Sequence, residues 1–374
     1  MGKSLERLVW AEINISNFLH NLRSVRKITG PKVMLMAVVK ANAYGHGAPE
    51  LAKSCQHMVD YFGVVCLYEA RRLREAGIKK PILILNYIDS ASLKTCLELD
   101  LTLNIMDEKL LRFLDKLAYR RHQRAKIHVK IDTGMHRLGL LPDQALKFIP
   151  KIENYKNIYL EGIFTHFATS DEKDLSFTNY QLTIFQKIIS KLKKQKLNIP
   201  IIHSANSAAT LRLKKSHYNM VRPGIILYGL PPSTDFQSPF SPEPVMFLKT
   251  KIVQIRRINK GETVGYGRTW TATKPTLVAA LPVGYADGFT RAPNNWGQVL
   301  VEGTFAPLIG RVSMDQSSVD ITQIPDAKVG DEVVLIGKQG NQEITAGQVA
   351  QRVGTINYEI TSSLAARVSR VYIL

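Results

Sequence analysis

The sequence predicts an α/β fold in which an N-terminal (β/α)8 TIM-type barrel, residues 1–240, precedes a C-terminal all-β domain, residues 241–374. Over the first part, eight short apolar segments rich in β-branched residues alternate with segments of helical pattern. Eight such units are typical of a closed barrel, whereas a doubly wound sheet, the competing fold, usually has fewer strands. Over the second part, short alternating segments are separated by turn residues, which predicts a small barrel or sandwich.

The predicted barrel strands are apolar along most of their length, which indicates burial on both faces, as in a parallel sheet. In chain order these strands are 33–39, 61–67, 82–85, 101–106, 126–131, 159–165, 200–203 and 220–229. The clearest predicted helices between them are 49–58, 69–76, 90–98, 107–120, 143–153, 178–194 and 205–213. Helix start signals such as Asp89-Ser90 and Pro142-Asp143 support two of these helices.

A segment rich in Pro, Ser and Asp, residues 231–245, reads as the linker to the second domain. Beyond it, alternating segments such as 247–258 and 276–285 are typical of strands. Helical pattern returns only near 344–354. The second domain is therefore expected to be all-β, with little helix.

Composition and charge exclude several classes of protein. Hydrophobic residues make up 45% of the chain and charged residues 22%, as in ordinary globular proteins. The net charge of +19 could favour nucleic acid or an anionic membrane, but the lysines are scattered and no aromatic RNA-binding motif or zinc finger accompanies them. We expect a solvated basic surface, with no nucleic-acid or membrane partner.

No apolar segment reaches the roughly 20 residues that span a bilayer, and the N-terminus lacks the apolar region of a signal peptide. Cys55, Cys66 and Cys96 are odd in number and form no CxxC pattern. Free thiols in a reducing compartment, a cytoplasmic location and no metal site are the expectation.

The first predicted strand ends in a lysine, Lys40. Active-site residues of parallel barrels lie at the carboxyl ends of the strands, so this lysine would project into the barrel mouth. Partial burial lowers the pKa of an amine and suits it to Schiff-base chemistry. Taken alone, a lysine that merely extends to solvent from a strand end is equally plausible.

Other predicted strands also end in chemically capable residues, and their number favours a site at the barrel mouth. They are Lys130, Arg137, His166, His203, Asn206, Ser207, Arg222, Gly224 and Ile225. Asn206 and Ser207 also suit the start of a helix, and a helix N-terminus is itself a good phosphate site.

The sequence resembles a known family in several segments along the chain. The segment AVVKANAYGHG, residues 37–47, is similar to the pyridoxal-phosphate attachment motif of the alanine racemases. Further segments resemble the family in the family's order along nearly the whole chain. They are RLVWAEINISNFLHNL, which resembles the family's opening helix, and IDTGMHRLG, THFATSD, HSANSAA, VRPGIILYG, VGYGRTW, PVGYADG, GRVSMDQ and INYEI.

The resemblance implies that pyridoxal 5'-phosphate is attached to Lys40. The positions that match the family's phosphate contacts are Tyr44, Ser207, Gly224, Ile225 and Tyr358, with Asn206 beside them. Arg222 matches the partner of the pyridine nitrogen. An arginine there disfavours protonation of that nitrogen, and we interpret this as control over side reactions such as transamination.

The resemblance also implies two bases, one for each face of Cα. Lys40 is expected to take the α-proton of D-alanine, and Tyr266 that of L-alanine. A free tyrosine has a pKa of about 10, so Tyr266 needs help to act near neutrality. His166, with Arg222 and His203 behind it, matches the family's tuning network.

Substrate contacts follow in the same way. Arg137 matches a residue that lies near the phenolic oxygen of the cofactor and near the substrate carboxylate. Met314 matches a residue whose backbone contacts that carboxylate. Tyr285 and Tyr358 would narrow the entrance and favour a methyl side chain. Lys130 matches a lysine that is often carbamylated and orients Arg137, although an unmodified lysine at a strand end is the alternative.

In the family, Tyr266 and Met314 come from the other subunit of a head-to-tail homodimer. The sequence alone leaves open whether they act within one chain or between two. If the activity holds, D-alanine for bacterial peptidoglycan is the expected product.

Three rival functions remain to be weighed. An amino-acid decarboxylase of similar plan would need a glycine-rich phosphate loop and an acid in place of Arg222, and neither is found. A racemase for serine or basic amino acids would more commonly carry an export signal. A single-domain cofactor-binding regulator would lack the second domain that carries Tyr266.

Overall fold

The computed structural model describes residues 7–374, so residues 1–6 of the predicted first domain lie outside the described part. The chain divides into two compact units. One, the barrel unit, contains Leu19–Ala43 and Gly47–Glu243. The other, the β unit, contains the described residues up to Phe18 together with Tyr44–His46 and Pro244–Leu374.

The barrel unit is a closed barrel of eight parallel strands in sequential order, which confirms the predicted fold. Its strands are β2 (Met34–Val38), β3 (Tyr61–Val64), β4 (Ile82–Ile84), β5 (Thr102–Asn104), β6 (Ala125–Lys130), β7 (Ile158–Phe164), β8 (Ile201–His203) and β9 (Met220–Val221). The barrel closes where Met34 and Leu35 of β2 pair with Met220 and Val221 of β9. Met36, Tyr61, Leu83, Ile201 and Met220 form a buried cluster.

Helices follow most barrel strands, as predicted. They are α1 (Ile15–Thr29), α2 (Lys40–Tyr44), α3 (Ala48–Cys55), α4 (Leu67–Glu75), α5 (Leu93–Glu98), α6 (Glu108–Arg120), α7 (Pro142–Phe148), α8 (Ser176–Lys194) and α9 (Ser207–Arg212). The segment α2 was not predicted and is a single turn of left-handed backbone. The longer ones bury one apolar face; in α6, for example, this face includes Leu110, Leu111 and Leu114. The Asp107 side chain caps α6 by accepting a hydrogen bond from the Leu110 N–H.

Proline explains two differences from the predicted boundaries. The helix expected over 143–153 ends at Phe148 and continues as a 3-10 turn over Ile149–Asn154, because Pro150 has no N–H to continue the α-helical bonding. The strand expected over 220–229 stops at Val221, before Pro223, and a 3-10 turn follows over Ile225–Tyr228.

The β unit contains a ten-stranded sheet in the order β11-β14-β17-β16-β15-β18-β10-β1-β20, with β19 paired to β18. The strands are β1 (Val9–Asn14), β10 (Met246–Lys251), β11 (Gln254–Ile258), β14 (Thr276–Leu281), β15 (Gln298–Val301), β16 (Thr304–Ile309), β17 (Ser317–Asp320), β18 (Glu332–Gln339), β19 (Gln342–Ile344) and β20 (Ser369–Ile373). A separate pair is formed by β12 (Thr263–Val264) and β13 (Trp270–Thr271), and the helices are α10 (Ala346–Val353) and α11 (Asn357–Ser362).

The opening helix expected over residues 7–22 is partly wrong. Val9–Asn14 is a strand, antiparallel to β10 and parallel to β20, and α1 begins only at Ile15. Val9, Ala11 and Ile13 are fully buried, so this segment alternates with the period of a strand.

The predicted linker, residues 231–245, contains neither helix nor strand. Among the described residues, no helix is both long and apolar enough to cross a membrane.

Within the β unit, Gly45 illustrates a close approach that only glycine permits. Its φ is +88°, and a Cβ built there would lie 1.9 Å from the Thr361 carbonyl oxygen. Gly77 has a similar φ of +85° but open space around it.

We therefore predict that Gly45→Ala lowers the thermal midpoint of unfolding much more than Gly77→Ala does. Gly77→Ala should cost only the backbone strain of about 1–2 kcal/mol, whereas Gly45→Ala adds a backbone clash. Differential scanning fluorimetry of both variants measures the difference, and equal midpoints would contradict the packing described here.

Candidate active site

Lys40 lies just beyond the carboxyl end of β2 and begins a turn of unusual hand. Ala41, Asn42, Ala43 and Tyr44 all have positive φ, between 51° and 56°. Non-glycine residues adopt this left-handed conformation at a cost, so the turn must be held by its surroundings.

Hydrogen bonds from two neighbouring segments hold the turn. The Ala41 N–H donates to the Glu69 carboxylate at 2.6 Å, and the Ala48 N–H donates to Asn42 Oδ1 at 2.9 Å. The Gly47 N–H donates to the Asn42 carbonyl at 2.8 Å. These contacts fix the backbone from which the Lys40 side chain leaves.

The Lys40 amine has a lowered pKa. Burial is the main cause and the charge of Arg137 adds to it, while Glu69 acts in the opposite direction. A lowered pKa increases the neutral fraction of the amine near neutral pH, which is the form that acts as a nucleophile or a base.

Lys130, the last residue of β6, is a second amine at the same end of the barrel and is buried, whereas Lys40 is half-buried. Burial, assisted by Arg137 and Arg222, lowers its pKa to about 8. Its Nζ lies 5.9 Å from the centre of the Phe164 ring. Arg137 itself is exposed, on the loop after β6.

Arg222 follows β9 directly and is only 4% exposed. Its guanidinium donates to the Thr165 carbonyl at 2.8 Å, the Ser204 carbonyl at 3.1 Å, His203 Nδ1 at 3.0 Å and His166 Nδ1 at 3.3 Å. Within residues 7–374, no acidic side chain forms an ion pair with it, and burial lowers its pKa to about 9. A buried arginine bonded only to neutral groups is unusual, since buried charges are normally paired.

Both histidines that accept from Arg222 are held neutral. The pKa of His203 lies well below its usual range because of burial and the charge of Arg222. The pKa of His166 is lowered in the same way, and the charges of Lys130, Arg137 and Lys40 contribute further. Since an arginine only donates, each histidine presents Nδ1 as an acceptor and carries its proton on Nε2.

The residues expected to contact a phosphate lie together at the start of α9 and after β9. Ser207 Oγ accepts a hydrogen bond from the Gly224 N–H at 2.9 Å, which leaves the serine proton able to donate to another acceptor. Asn206 serves as the helix cap, because its Oδ1 accepts from the Ala209 N–H and from Ser170 Oγ. Ile225 is buried and begins the following 3-10 turn.

Tyr44 and Tyr358 are neighbours within the β unit. Their ring centres lie 6.0 Å apart at an angle of 55°. The segment that carries Tyr44 is fixed by the Arg370 guanidinium, which donates to the Gly45 carbonyl at 2.9 Å. The structure thus brings together two tyrosines that are more than 300 residues apart in the sequence.

Three further predicted residues lie on exposed turns of the β unit. Tyr266 is 66% exposed, Met314 54% and Tyr285 42%. Tyr285 and Met314 are on adjoining segments, since the Tyr285 N–H donates to the Ser313 carbonyl and the Ala286 N–H to the Met314 carbonyl. Tyr266 opens a separate 3-10 turn, Tyr266–Arg268.

The sequence patterns indicated no role for two titratable side chains of the barrel, the fully buried His128 and Glu161, whose side chain is 12% exposed. His128 bonds to His203 through Nδ1 and to Glu161 through Nε2. The available signal was a charged residue beside a glycine in the otherwise apolar segment YLEGIF.

A parallel (β/α)8 barrel with a half-buried lysine, a buried lysine and a buried arginine at the carboxyl ends of its strands defines an enzyme whose mouth is suited to an anionic ligand that carries an amine-reactive carbonyl group. The sequence profile of the alanine racemase N-terminal domain matches residues 13–232, and that of the alanine racemase C-terminal domain matches residues 245–372. The chain belongs to the alanine racemase family and is an isomerase of the amino-acid racemase class.

Curated and solved relatives agree with this assignment. The alanine racemase of Halothermothrix orenii is 43% identical over 373 residues, which covers 100% of this chain and 98% of that protein. The structure of alanine racemase from Clostridium difficile 630 is 38% identical with a TM-score of 0.95 and covers 99% of this chain and 97% of that one. The Bacillus anthracis alanine racemase with bound L-Ala-P is 35% identical with a TM-score of 0.94 over 100% and 96% of the chains.

The electrostatics of Lys40 predict opposite effects of two substitutions. Arg137→Gln removes a cation, so the Lys40 pKa should rise and the amine should react at higher pH. Glu69→Gln removes an anion, so the Lys40 pKa should fall further and the reaction should move to lower pH. Acylation of the ligand-free chain as a function of pH, followed by mass spectrometry of the Lys40 peptide, measures both. A shift in the same direction for the two variants would refute this electrostatic description.

Proposed function

We propose that this chain interconverts L- and D-alanine with pyridoxal 5'-phosphate by a two-base mechanism in which Lys40 and Tyr266 are the bases. The observation that carries the proposal is the presence, at the carboxyl ends of the barrel strands, of a half-buried lysine of lowered pKa and a buried arginine that has no acidic partner among the described residues. The family assignment supports the same reaction.

The residues present fit the cofactor chemically. The Lys40 amine suits covalent attachment of an aldehyde. The hydroxyl proton of Ser207 and the start of the turn at Gly224 and Ile225 offer donors to a phosphate, and the family resemblance assigns the phenols of Tyr44 and Tyr358 to the same group. When bound, the cofactor would withdraw electrons from Cα of the amino acid and so make its proton removable.

Arg222 is assigned to the pyridine nitrogen. Because its guanidinium can only donate, and because it is a cation, it disfavours a second cation at that nitrogen. We infer that Arg222 moderates the electron withdrawal of the cofactor and so favours return of a proton to Cα over transamination. An acidic residue at this position, as a decarboxylase would need, is not present.

Proton transfer is assigned to one residue on each face of Cα. Lys40 would take the α-proton of D-alanine as a neutral amine and, in the reverse direction, would return a proton as the ammonium to form D-alanine. Tyr266 would do the same for L-alanine. His166 supports the second role, because its Nε2–H is left to donate to a phenolate while its Nδ1 accepts from Arg222. His203 accepts a hydrogen bond from Arg222 Nη1, whereas His166 accepts from Nη2, and so helps to hold Arg222 in place.

Carboxylate binding and selectivity are assigned to Arg137, the Met314 backbone and Tyr285, with Tyr358 also lining the entrance. Tyr266, Tyr285 and Met314 are exposed in a single chain. Their exposure supports the view that a second copy of the chain covers them. We propose a head-to-tail homodimer in which each active site takes Tyr266 and Met314 from the other copy. We also propose that the two functional domains are residues 1–240, which bind the cofactor, and residues 241–374, which supply the second base.

We also propose that the chain acts in the cytoplasm and supplies D-alanine for peptidoglycan. Its similarity to alanine racemases from several bacteria supports that role.

The two-base assignment predicts different defects in two variants. The purified chain with added pyridoxal 5'-phosphate should form D-alanine from L-alanine faster than it racemises L-serine or L-lysine, as read by chiral chromatography. Lys40→Ala should abolish racemisation. In deuterated water, Tyr266→Phe should still exchange the α-proton of D-alanine but not that of L-alanine, while Tyr119→Phe, an exposed tyrosine on α6, should behave as wild type. Racemisation by Tyr266→Phe at the wild-type rate would refute the second base.

The shared-site arrangement adds a complementation experiment with the same proteins. Lys40→Ala and Tyr266→Phe chains, mixed under conditions that exchange subunits, should regain activity, because a mixed dimer contains one site with both native bases. No gain on mixing, with mixed dimers demonstrated by native mass spectrometry, would show that both bases come from one chain.

Lys130 is proposed to carry a carbamate that orients Arg137. Its pKa of about 8 leaves a substantial neutral fraction near neutral pH, and the neutral amine is the form that adds carbon dioxide. The product is an anion, which would relieve the repulsion between Lys130, Arg137 and Arg222.

We expect ¹³C-labelled bicarbonate to produce a carbamate resonance in the wild-type protein and in Lys40→Ala, but not in Lys130→Gln. Lys130→Gln should also bind the substrate carboxylate more weakly, seen as a raised KM. A resonance that persists in Lys130→Gln would assign the carbamate to another amine.

A further inference from the structure

A continuous series of hydrogen bonds runs from Arg222 into the barrel interior. Arg222 Nη1 bonds to His203 Nδ1 at 3.0 Å, His203 Nε2 to His128 Nδ1 at 2.8 Å, and His128 Nε2 to Glu161 Oε2 at 3.2 Å. Both histidines are fully buried, and the Glu161 side chain is only 12% exposed. We call these four residues the Arg–His–His–Glu series.

The direction of every bond in the series is determined by its two ends. Arg222 can only donate, so His203 accepts at Nδ1 and carries its proton on Nε2. His203 therefore donates to His128 Nδ1, and His128 carries its own proton on Nε2. Glu161, as a carboxylate, can only accept that proton in a hydrogen bond. Each ring is thus fixed in one tautomer.

The ends of the series also carry the only formal charges in it. Burial lowers the pKa of both His203 and His128, so that both rings are neutral. The pKa of Glu161 is lowered by its hydrogen bond to His128 and by further bonds to Tyr61 and Thr102, which oppose the effect of burial. The carboxylate of Glu161 is therefore the counter-charge of Arg222, transmitted through two imidazoles.

The backbone is shaped to hold Glu161 and His128 together. The pairing of β6 with β7 shifts register at this point: Ile127 pairs with Leu160, but His128 pairs with Gly162. Glu161 is thus the extra residue of a bulge, which is a common device for re-aiming a side chain. Gly162 is needed as well, because a Cβ there would lie 2.6 Å from His128 Cε1.

We propose that Glu161 is a positioning residue for racemisation: through His128 and His203 it fixes the ring nitrogen that faces Arg222, and so keeps the guanidinium directed at the cofactor. The consequence of losing the carboxylate follows from the bond directions. If His128 carried its proton on Nδ1, it would donate to His203 Nε2, and His203 would then present an N–H to Arg222. Two donors would face each other, and Arg222 would turn away. This inference rests on the proposed function, because Arg222 is assigned there to the pyridine nitrogen.

Glu161→Gln tests the proposal with little change of shape. A glutamine amide can accept from His128 or donate to it, so both directions of the series become possible. Thr102→Val is the matched control, because it removes another hydrogen bond to Glu161 Oε2, at 3.2 Å, and leaves the carboxylate in place.

The first measurement is ¹⁵N NMR of the histidine rings in the cofactor-free protein. In the wild type and in Thr102→Val, His128 and His203 should both be neutral and protonated on Nε2. In Glu161→Gln, a population protonated on Nδ1 should appear at both rings. Protonation of either wild-type ring on Nδ1 would overturn the proposal without any variant, as would wild-type tautomers in Glu161→Gln.

The second measurement is the ratio of products formed by the cofactor-loaded enzyme from alanine. A displaced Arg222 should allow more transamination, so the ratio of pyruvate to the alanine enantiomer formed should rise in Glu161→Gln, while kcat falls about 10-fold, the lower end of what orienting partners contribute at other active sites. Thr102→Val should keep the wild-type ratio. An unchanged ratio in Glu161→Gln would overturn the positioning role, since simple loss of folded enzyme lowers both products together.

Failure of the proposed function would be seen separately. A wild-type chain that takes up no pyridoxal phosphate would refute that function, whereas the histidine resonances of the cofactor-free protein would still decide whether Glu161 fixes the tautomers.

Discussion

The burial of the Arg222 guanidinium without an adjacent carboxylate is the constraint on which the rest of the barrel mouth depends. Removing such a charge from water is costly unless its donors are satisfied. Two backbone carbonyls and two imidazole nitrogens satisfy them here. The carbonyls of Thr165 and Ser204 follow β7 and β8, so a closed sheet is needed to bring both to an arginine that follows β9.

Phe164 completes the surroundings of this arginine in place of an acid. Its ring centre lies 5.4 Å from the guanidinium carbon of Arg222 and 5.9 Å from Lys130 Nζ, and the ring stacks on His203 at 4.8 Å. An aromatic face attracts cations without neutralising them. Beyond the effect of burial, the charge of Arg137 lowers the pKa of Lys40, and the charges of Arg137, Arg222 and Lys40 lower the pKa of Lys130. A mouth of this kind is best stabilised by an anion, and the overall charge of +19 would draw one from a distance.

The sequence predicted the barrel and the residues at its mouth because both depend on local patterns. Buried parallel strands are apolar throughout, so a lysine or arginine at the end of one stands out. The strand at Val9–Asn14 was missed because its partners, β10 and β20, are more than 200 residues away. The local sequence does not indicate which distant segments will pair with it. Glu161 and His128 were missed for a different reason. The period-2 rule assigns a side chain to one face of a strand, and the bulge at Glu161 breaks that period.

The left-handed turn after Lys40 is strained, and the strain has a structural purpose: it determines where the side chains of the turn leave the backbone. Four consecutive non-glycine residues with positive φ disfavour the turn by roughly 1–2 kcal/mol each, and a glycine at these positions would remove the strain but also the side chains. Asn42 uses both its carbonyl and its side chain to hold the turn, and Tyr44 ends it beside Tyr358. A right-handed helix from Lys40 would direct these side chains elsewhere, because reversing the hand changes where each one leaves the backbone. The strain therefore allows one short segment to present the amine at its first residue and a phenol at its last.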